Sequence, residues 1–313
     1  MQNNLAPIGI STYARPQHLQ KTIEALKKNT LANQSELYVF SDAPKPGDED
    51  KVAAVRSYLR TIDGFKAVHI IERDTNGRVE NSRGGAQMLL DQFGKVIFQA
   101  EDVITAPGYL TFMNQALDKY EENDRVFSVV GYCPPIKIPS NYQHDVLFLR
   151  RFSGWGFGTW KNRFDLIRYV TPEEYEQFAA DKNRVSDFVN AGGTDMMAML
   201  KLDAYGEIDA GDVKAMYAQF LSNQYTVYPR ESLVYNIGMD ATGAHCDDTD
   251  YFDVPLNRKT LFDFPDHVIE DPRIVKMNCQ FWNNRKLNSQ GMIRRVVNKL
   301  KRAPARIWSS IAQ

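Results

Sequence analysis

Gly94-Lys95-Val96-Ile97-Phe98-Gln99-Ala100-Glu101-Asp102-Val103 runs a short apolar strand straight into two adjacent carboxylates. A buried parallel strand delivers its carboxyl edge to the place where α/β proteins bind ligands. Two acids at that edge suit a hard cation such as Mg²⁺ or Mn²⁺, which prefers oxygen donors. Strand side chains alternate faces, so Glu101 and Asp102 cannot meet at one point while the strand persists. One is expected to be the ligand and the other its support. The plainer reading of the pair is a solvated strand end or a helix cap, and the surrounding sequence decides between them.

Upstream, Pro7-Ile8-Gly9-Ile10-Ser11-Thr12-Tyr13 reads as a buried first strand, and Arg15-Pro16 opens a helix to about residue 28 with Leu19, Ile23 and Leu26 as its apolar stripe. A second strand over 36–40 ends at Ser41-Asp42, followed by a Pro, Lys and Gly turn and a helix over 48–59. A third strand over 67–71, a polar loop to Gly77 and a helix over 81–93 lead back to the acidic strand. Strand and helix alternating on short connections predict an α/β fold, a mostly parallel central sheet flanked by helices.

The second half is less regular. A strand is expected near 124–132, helices over 172–180 and 194–205, another helix from near Asp212, and a strand over 225–229. Arg151-Phe152-Ser153-Gly154-Trp155-Gly156-Phe157-Gly158-Thr159-Trp160 carries three glycines among four aromatics and reads as an irregular wall rather than a sheet strand.

The chain has 313 residues and a formal net charge of −1, but after Asp271 there are ten Lys or Arg and no acid, leaving 28 bases and 39 acids in 1–271. Ile293, Val296, Val297, Leu300, Ile307, Trp308 and Ile311 interleave with six of those bases, a pattern suited to a helix lying on an anionic membrane surface. One unit is expected over 1–271, with a first half at 1–105 and a second at 106–271, followed by a basic amphipathic tail over 272–313. No apolar run approaches the roughly 20 residues of a membrane span, and the start Met1-Gln2-Asn3-Asn4 does not read as a signal peptide. A cytoplasmic protein, peripheral on the inner face of its membrane, is expected. Cys133, Cys246 and Cys279 lack paired spacing and are expected to be thiols.

Three strand ends of the first half present Arg15, Asp42 and the Glu101-Asp102 pair, which makes a nucleoside diphosphate site conceivable. Arg15 beside a helix start suits a phosphate, and Asp42 suits a base N–H or ribose hydroxyl. The chain has neither a P-loop pattern nor a Gly-x-Gly-x-x-Gly turn after the first strand. His245, in a glycine-rich loop, suits a second metal ligand. Asp209 and Asp212 at a helix start are caps in the plain reading and candidate general bases in the sharper one. Arg78 and Arg83, before and on the helix that precedes the acidic strand, add positive charge.

In this order the motifs resemble the GT-A glycosyltransferases, nucleotide-sugar enzymes with a Rossmann-like sheet, over most of residues 5–250. Residues 7–16 look like their opening strand and nucleotide loop, and Phe40-Ser41-Asp42 like the second strand with its base-binding Asp. Gln99-Ala100-Glu101-Asp102-Val103-Ile104-Thr105-Ala106-Pro107 is similar to the Glu-Asp-Asp-x-x-x-x-Pro segment of N-acetylglucosaminyltransferase I-type enzymes, with Ala100 in place of the first acid. The 154–160 segment and Asn236-Ile237-Gly238-Met239-Asp240-Ala241-Thr242-Gly243-Ala244-His245-Cys246 look like those of related bacterial sugar transferases.

The resemblance implies a metal-dependent, inverting transfer of a sugar from a nucleotide diphosphate, UDP foremost, to a hydroxyl of a bacterial surface glycan or lipid-linked oligosaccharide. It places Mn²⁺ or Mg²⁺ on Asp102 and His245, the donor on Thr12, Arg15, Asp42, Arg78, Arg83, Glu101, Trp155 and Gly156, and the base at Asp212 or Asp209. No nucleic acid partner is expected. A sugar-phosphate nucleotidylyltransferase and a non-catalytic glycan- or nucleotide-binding protein of the same fold are the alternative readings.

Overall fold

The computed structural model describes residues 5–242 and 249–284. The chain begins β1 Ile8–Thr12, α1 Pro16–Lys27, β2 Glu36–Ser41, α2 Glu49–Leu59 and β3 Ala67–Glu72. A π-helical turn at Glu80–Gly84 then leads into α3 Gly85–Phe93, β4 Lys95–Ala100, β5 Val103–Thr105 and α4 Tyr109–Tyr120. The second half runs β6 Val126–Val130, β7 Val146–Leu149, β8 Phe157–Trp160, α5 Lys161–Phe164, α6 Pro172–Ala180, α7 Lys182–Gly192, α8 Thr194–Ala204 and α9 Gly211–Leu221. It closes with β9 Tyr225–Pro229, β10 Val234–Asn236 and α10 Pro272–Asn284.

Eight strands form one sheet in the order β3-β2-β1-β4-β8-β6-β9-β7, and β5 pairs with β10 in a second, two-stranded sheet. Strands β3, β2, β1 and β4 are parallel neighbours, and β6 and β9 run parallel to each other; β8 is antiparallel to both β4 and β6, and β7 to β9. The sheet is therefore mostly parallel, with β8 and β7 reversed. Helices pack on both faces, as a parallel sheet requires when neither face can meet water. Ile8, Ile10 and Ile97 face a core shared with α1 and α4, while Phe98 and Phe40 face a second core with α3 and α9. Gly9 lies between them because a Cβ there would come within 2.4 Å of the Phe98 ring.

Local signals hold at the element ends. Pro16 sits at the first turn of α1, Gly94 ends α3 in the left-handed region (φ 77°), and Thr171 with Glu174 forms a capping box on α6. The 151–160 segment departs from expectation, since its second half is β8, a strand inserted in the middle of the sheet. Gly158 allows this, because its position is closed in by Leu117, Met113 and the carbonyl of Val96. The helices α4 and α7 and the β5–β10 ladder also lay beyond the sequence reading. Their apolar spacing is ordinary, and the β5–β10 partners are far apart in the chain.

The 272–313 segment begins with α10, which packs against α7 and α8 and buries Ile274, Asn278 and Trp282. Its remaining residues, 285–313, which carry the expected amphipathic pattern, lie outside the described residues. No helix among the described residues is long and apolar enough to cross a membrane.

Candidate active site

The acid pair follows the last residue of β4, where strand alternation has lapsed, so both side chains converge on one partner. Arg15 Nε donates to Glu101 Oε1 at 2.7 Å and Nη2 donates to Asp102 Oδ2 at 2.6 Å. The hydroxyl of Thr12 and the backbone N–H of Tyr13 donate to the other Glu101 oxygen. Glu101 therefore pins the loop between β1 and α1, and Thr22 holds its carbonyl from α1 at 2.8 Å. Burial works against the Arg15 charge, but Asp102 and Glu101 outweigh it and raise the guanidinium's affinity for its proton. Its Nη1 is buried with no hydrogen-bond partner among the described residues.

Asp102 is roofed by the β10 exit. Ile237 donates its N–H to the Asp102 carbonyl at 2.9 Å, and a Cβ on Gly238 would lie 2.2 Å from Asp102 Oδ2. Glycine is required there by close approach alone. Asp42 is similarly committed, its carboxylate accepting from Gly77 N–H at 3.0 Å, Asn76 at 3.1 Å and Ala43 N–H at 3.0 Å, with Arg73 at 3.5 Å. It organises the loop at 73–77 instead of offering both oxygens to a nucleobase.

A cavity of about 220 Å³ opens beside these strand ends, at Ser11 of β1 and Ala100 at the end of β4. Arg78, Ser82 and Arg83 line it together with Gly211, Asp212, Lys214 and Ala215 of α9, and Phe98, Phe152 and Phe157 add apolar surface. Both expected bases reach it, in different states. Asp209 accepts from Lys214 Nζ at 2.8 Å and from the Tyr169 hydroxyl at 3.2 Å, while its backbone carbonyl accepts from Arg78. Burial pushes Asp209 toward protonation, but Lys214 and Tyr169 prevail and hold its pKa below the ordinary value. Asp212, in the first turn of α9, accepts one hydrogen bond, from the Gly154 N–H at 3.2 Å. Burial outweighs that bond and the distant charge of Arg151, and raises its pKa. The two carboxylates, alike in sequence, are separated by environment: Asp209 is a paired anion, Asp212 a shielded and loosely held carboxyl group.

Trp155 and Gly156 do not line this cavity. Trp155 packs edge-on against Tyr132 and Phe252, at ring-centroid distances of 4.7 and 5.4 Å, and Gly156 turns the chain at φ 68° beneath the Tyr109 hydroxyl. Phe152, Gly154 and Phe157 of the same segment form the wall instead. Arg83 lies at the cavity, with Nη2 on the Ile167 carbonyl at 2.5 Å and its guanidinium near the Phe164 and Tyr169 rings. Lys214 is the important residue that sequence reading passed over. It is buried, with Asp203 at 3.6 Å beyond Asp209 and the Tyr169 ring 3.9 Å away. A lysine interrupting the apolar run Val213 to Met216 was the available signal.

Glu101 and Asp102 have the oxygen chemistry that Mn²⁺ or Mg²⁺ takes. Their surroundings do not fit a divalent ion, because a guanidinium already bridges them and every Glu101 oxygen is engaged. His245, the other expected ligand, lies outside the described residues. Among the described residues no three His, Cys, Asp or Glu side chains gather as a metal group.

No family model matches the chain, and no curated protein matches it. Among solved structures it is similar to S. aureus TarS, at 11% identity and TM-score 0.42 over 76% of this chain and 37% of that one. It is similar to TarS 1–349 in complex with UDP-GlcNAc, at 12% identity and TM-score 0.41 over 74% of this chain and 58% of that one. A third is the mannosyltransferase PcManGT from Pyrobaculum calidifontis in complex with GDP-Man and Mn²⁺, at 10% identity and TM-score 0.41 over 70% and 69%. The chain thus spans well under half the length of the first of these TarS chains. The fold, by its own strand order, is a Rossmann-like, mostly parallel α/β sheet flanked by helices. In this sheet the acid pair follows the fourth strand, the reversed β8 lies beside it, and the cavity lies at the carboxyl edge.

Proposed function

We propose that this chain is an inverting glycosyltransferase that moves a sugar from a nucleoside diphosphate, UDP foremost, to a hydroxyl. Asp212 carries the reading: a shielded carboxylate of raised pKa, held by one backbone N–H, opening on a cavity at the carboxyl edge of the sheet. A general base works best with its pKa near the operating pH, which burial favours. In a single displacement, ionised Asp212 takes the acceptor's hydroxyl proton as that oxygen bonds the anomeric carbon. The bond from that carbon to the diphosphate oxygen breaks, and its electron pair leaves with the nucleoside diphosphate. Arg78 and Arg83 hold the departing charge by charge-assisted hydrogen bonds. Asp42 acts on the nucleotide through the 73–77 loop that it fastens.

The acceptor class, a surface glycan or lipid-linked oligosaccharide, and attachment to the inner face of a membrane rest on the motif order and on the basic residues at 285–313. The test is a mass-spectrometric screen of nucleotide sugars against glycan and lipid-linked acceptors. One donor is expected to be consumed, with release of one nucleoside diphosphate per sugar moved and inversion in the product. Pyrophosphate release from a nucleoside triphosphate and a sugar phosphate would establish the nucleotidylyltransferase alternative, and net retention would remove the single displacement.

A further inference from the structure

The Glu101-Asp102 pair offers the oxygen donors that a divalent cation takes, yet the structure sets Arg15 between the two carboxylates. The guanidinium contacts both carboxylates at 2.7 and 2.6 Å, and Thr12 and Tyr13 take what remains of Glu101. The side chains of Glu101 and Asp102 are only 6% and 8% exposed. Arg15 is itself fixed, since it precedes Pro16 at the N-cap of α1 and its carbonyl accepts the Leu19 N–H. A dication on the other Asp102 oxygen would sit against a like charge with little room for water, whereas Mg²⁺ keeps several waters in an octahedral shell. At the cavity, Arg78 and Arg83 each spend one Nη2 on a backbone carbonyl, leaving the rest of each guanidinium for a ligand.

We infer that Arg15 closes the acid pair to divalent cations and that the positive charge facing the donor's diphosphate comes from Arg78 and Arg83. The inference rests on the nucleotide-sugar reading, and its consequence is a transferase whose donor binding needs no metal. Arg15 is a positioning residue in this scheme: it holds the strand end and the nucleotide loop together and keeps the carboxylates from repelling the diphosphate.

Two measurements on the full chain decide it. The first is an electron paramagnetic resonance titration of free Mn²⁺. Wild type is expected to leave Mn²⁺ free. Arg15→Gln is expected to bind it tighter by roughly tenfold or more, the scale of removing a like charge at contact distance. The second is calorimetry with UDP in EDTA and then in Mn²⁺, where equal affinity is expected, falling roughly tenfold in Arg78→Gln or Arg83→Gln. One-to-one Mn²⁺ binding by wild type that Asp102→Asn or His245→Ala abolishes would overturn the inference. So would UDP affinity that rises tenfold or more when Mn²⁺ replaces EDTA. Wild type answers both questions even if the Arg15 variant does not fold. Should no nucleotide bind under either condition, the proposed function fails, while the Mn²⁺ titration still decides whether Arg15 closes the pair.

Discussion

As the proposed base, Asp212 would do two opposed things, and pH separates them. A base must be ionised, so transfer falls as pH drops through its pKa, and burial places that acid limb above the ~3.9 of a free Asp. For stability the sign is reversed: a carboxyl whose folded pKa is raised contributes stability below its unfolded pKa that is lost as pH rises through the folded one. Asp212→Asn is therefore expected to lose transfer by about 10²–10⁴-fold and to melt higher than wild type at neutral pH, with the gap closing in acid. Rate profiles and thermal melts across pH check both halves; a variant with normal turnover removes Asp212 as base. Asp209 behaves oppositely, its depressed pKa giving stability above the unfolded value that is lost as pH falls, so Asp209→Asn should melt lower at neutral pH. Gly154→Ala gives a third reading, because its Cβ would lie 2.6 Å from Asp212 Oδ1 and must displace the carboxylate. A fall in turnover with little change in melting temperature is expected. The sequence showed both acids at a helix start but could not rank them. The ranking depends on Lys214, Tyr169 and Gly154, which only the fold brings to them.

At the scale of the element, α9 shows what a buried charge requires. Lys214 joins Asp209, in the loop before the helix, to Asp203 at the end of α8, and Asp203 also accepts the Ala210 N–H at 2.8 Å. Lys214→Met would leave two carboxylates facing each other with Asp203 buried, and breaking such a pair costs about 3–5 kcal/mol. A urea melt of the variant should lose that much, and a loss near zero would mean that Asp203 is protonated in the wild type. The same contrast between local and distant causes runs through the strands. β1 to β4 were legible because each is a short apolar run closed by its own turn residues. β8 was not, because its four residues become a strand only through β4 and β6 on either side, and its glycines argue locally against a strand.

Across the whole molecule, α10 ties residues 272–284 to the second half of the chain. The Trp282 ring lies 3.5 Å from the Arg151 guanidinium, which is buried in a two-bond pair with Asp195, and Tyr228 donates to the Arg151 carbonyl at 2.6 Å. Trp282→Ala removes a large side chain from this stack, and about 3–5 kcal/mol is the expected loss. Hydrogen exchange should show α7, α8 and α10 opening together in that variant; exchange confined to α10 would mean that the helix is only an appendage. The sequence by itself determined the α/β class, the alternation through β4, the placing of Arg15, Asp42 and the acid pair at strand ends, and the change of charge at the chain end, because these follow from periodicity, turn chemistry and composition within short windows. Only the tertiary structure decided that Arg15 grips Glu101 and Asp102 from 86 and 87 residues away, that Asp42 fastens a loop, and that Asp212 is the freer acid. Charge pairing and desolvation depend on distance in space, and a linear chain does not display those distances.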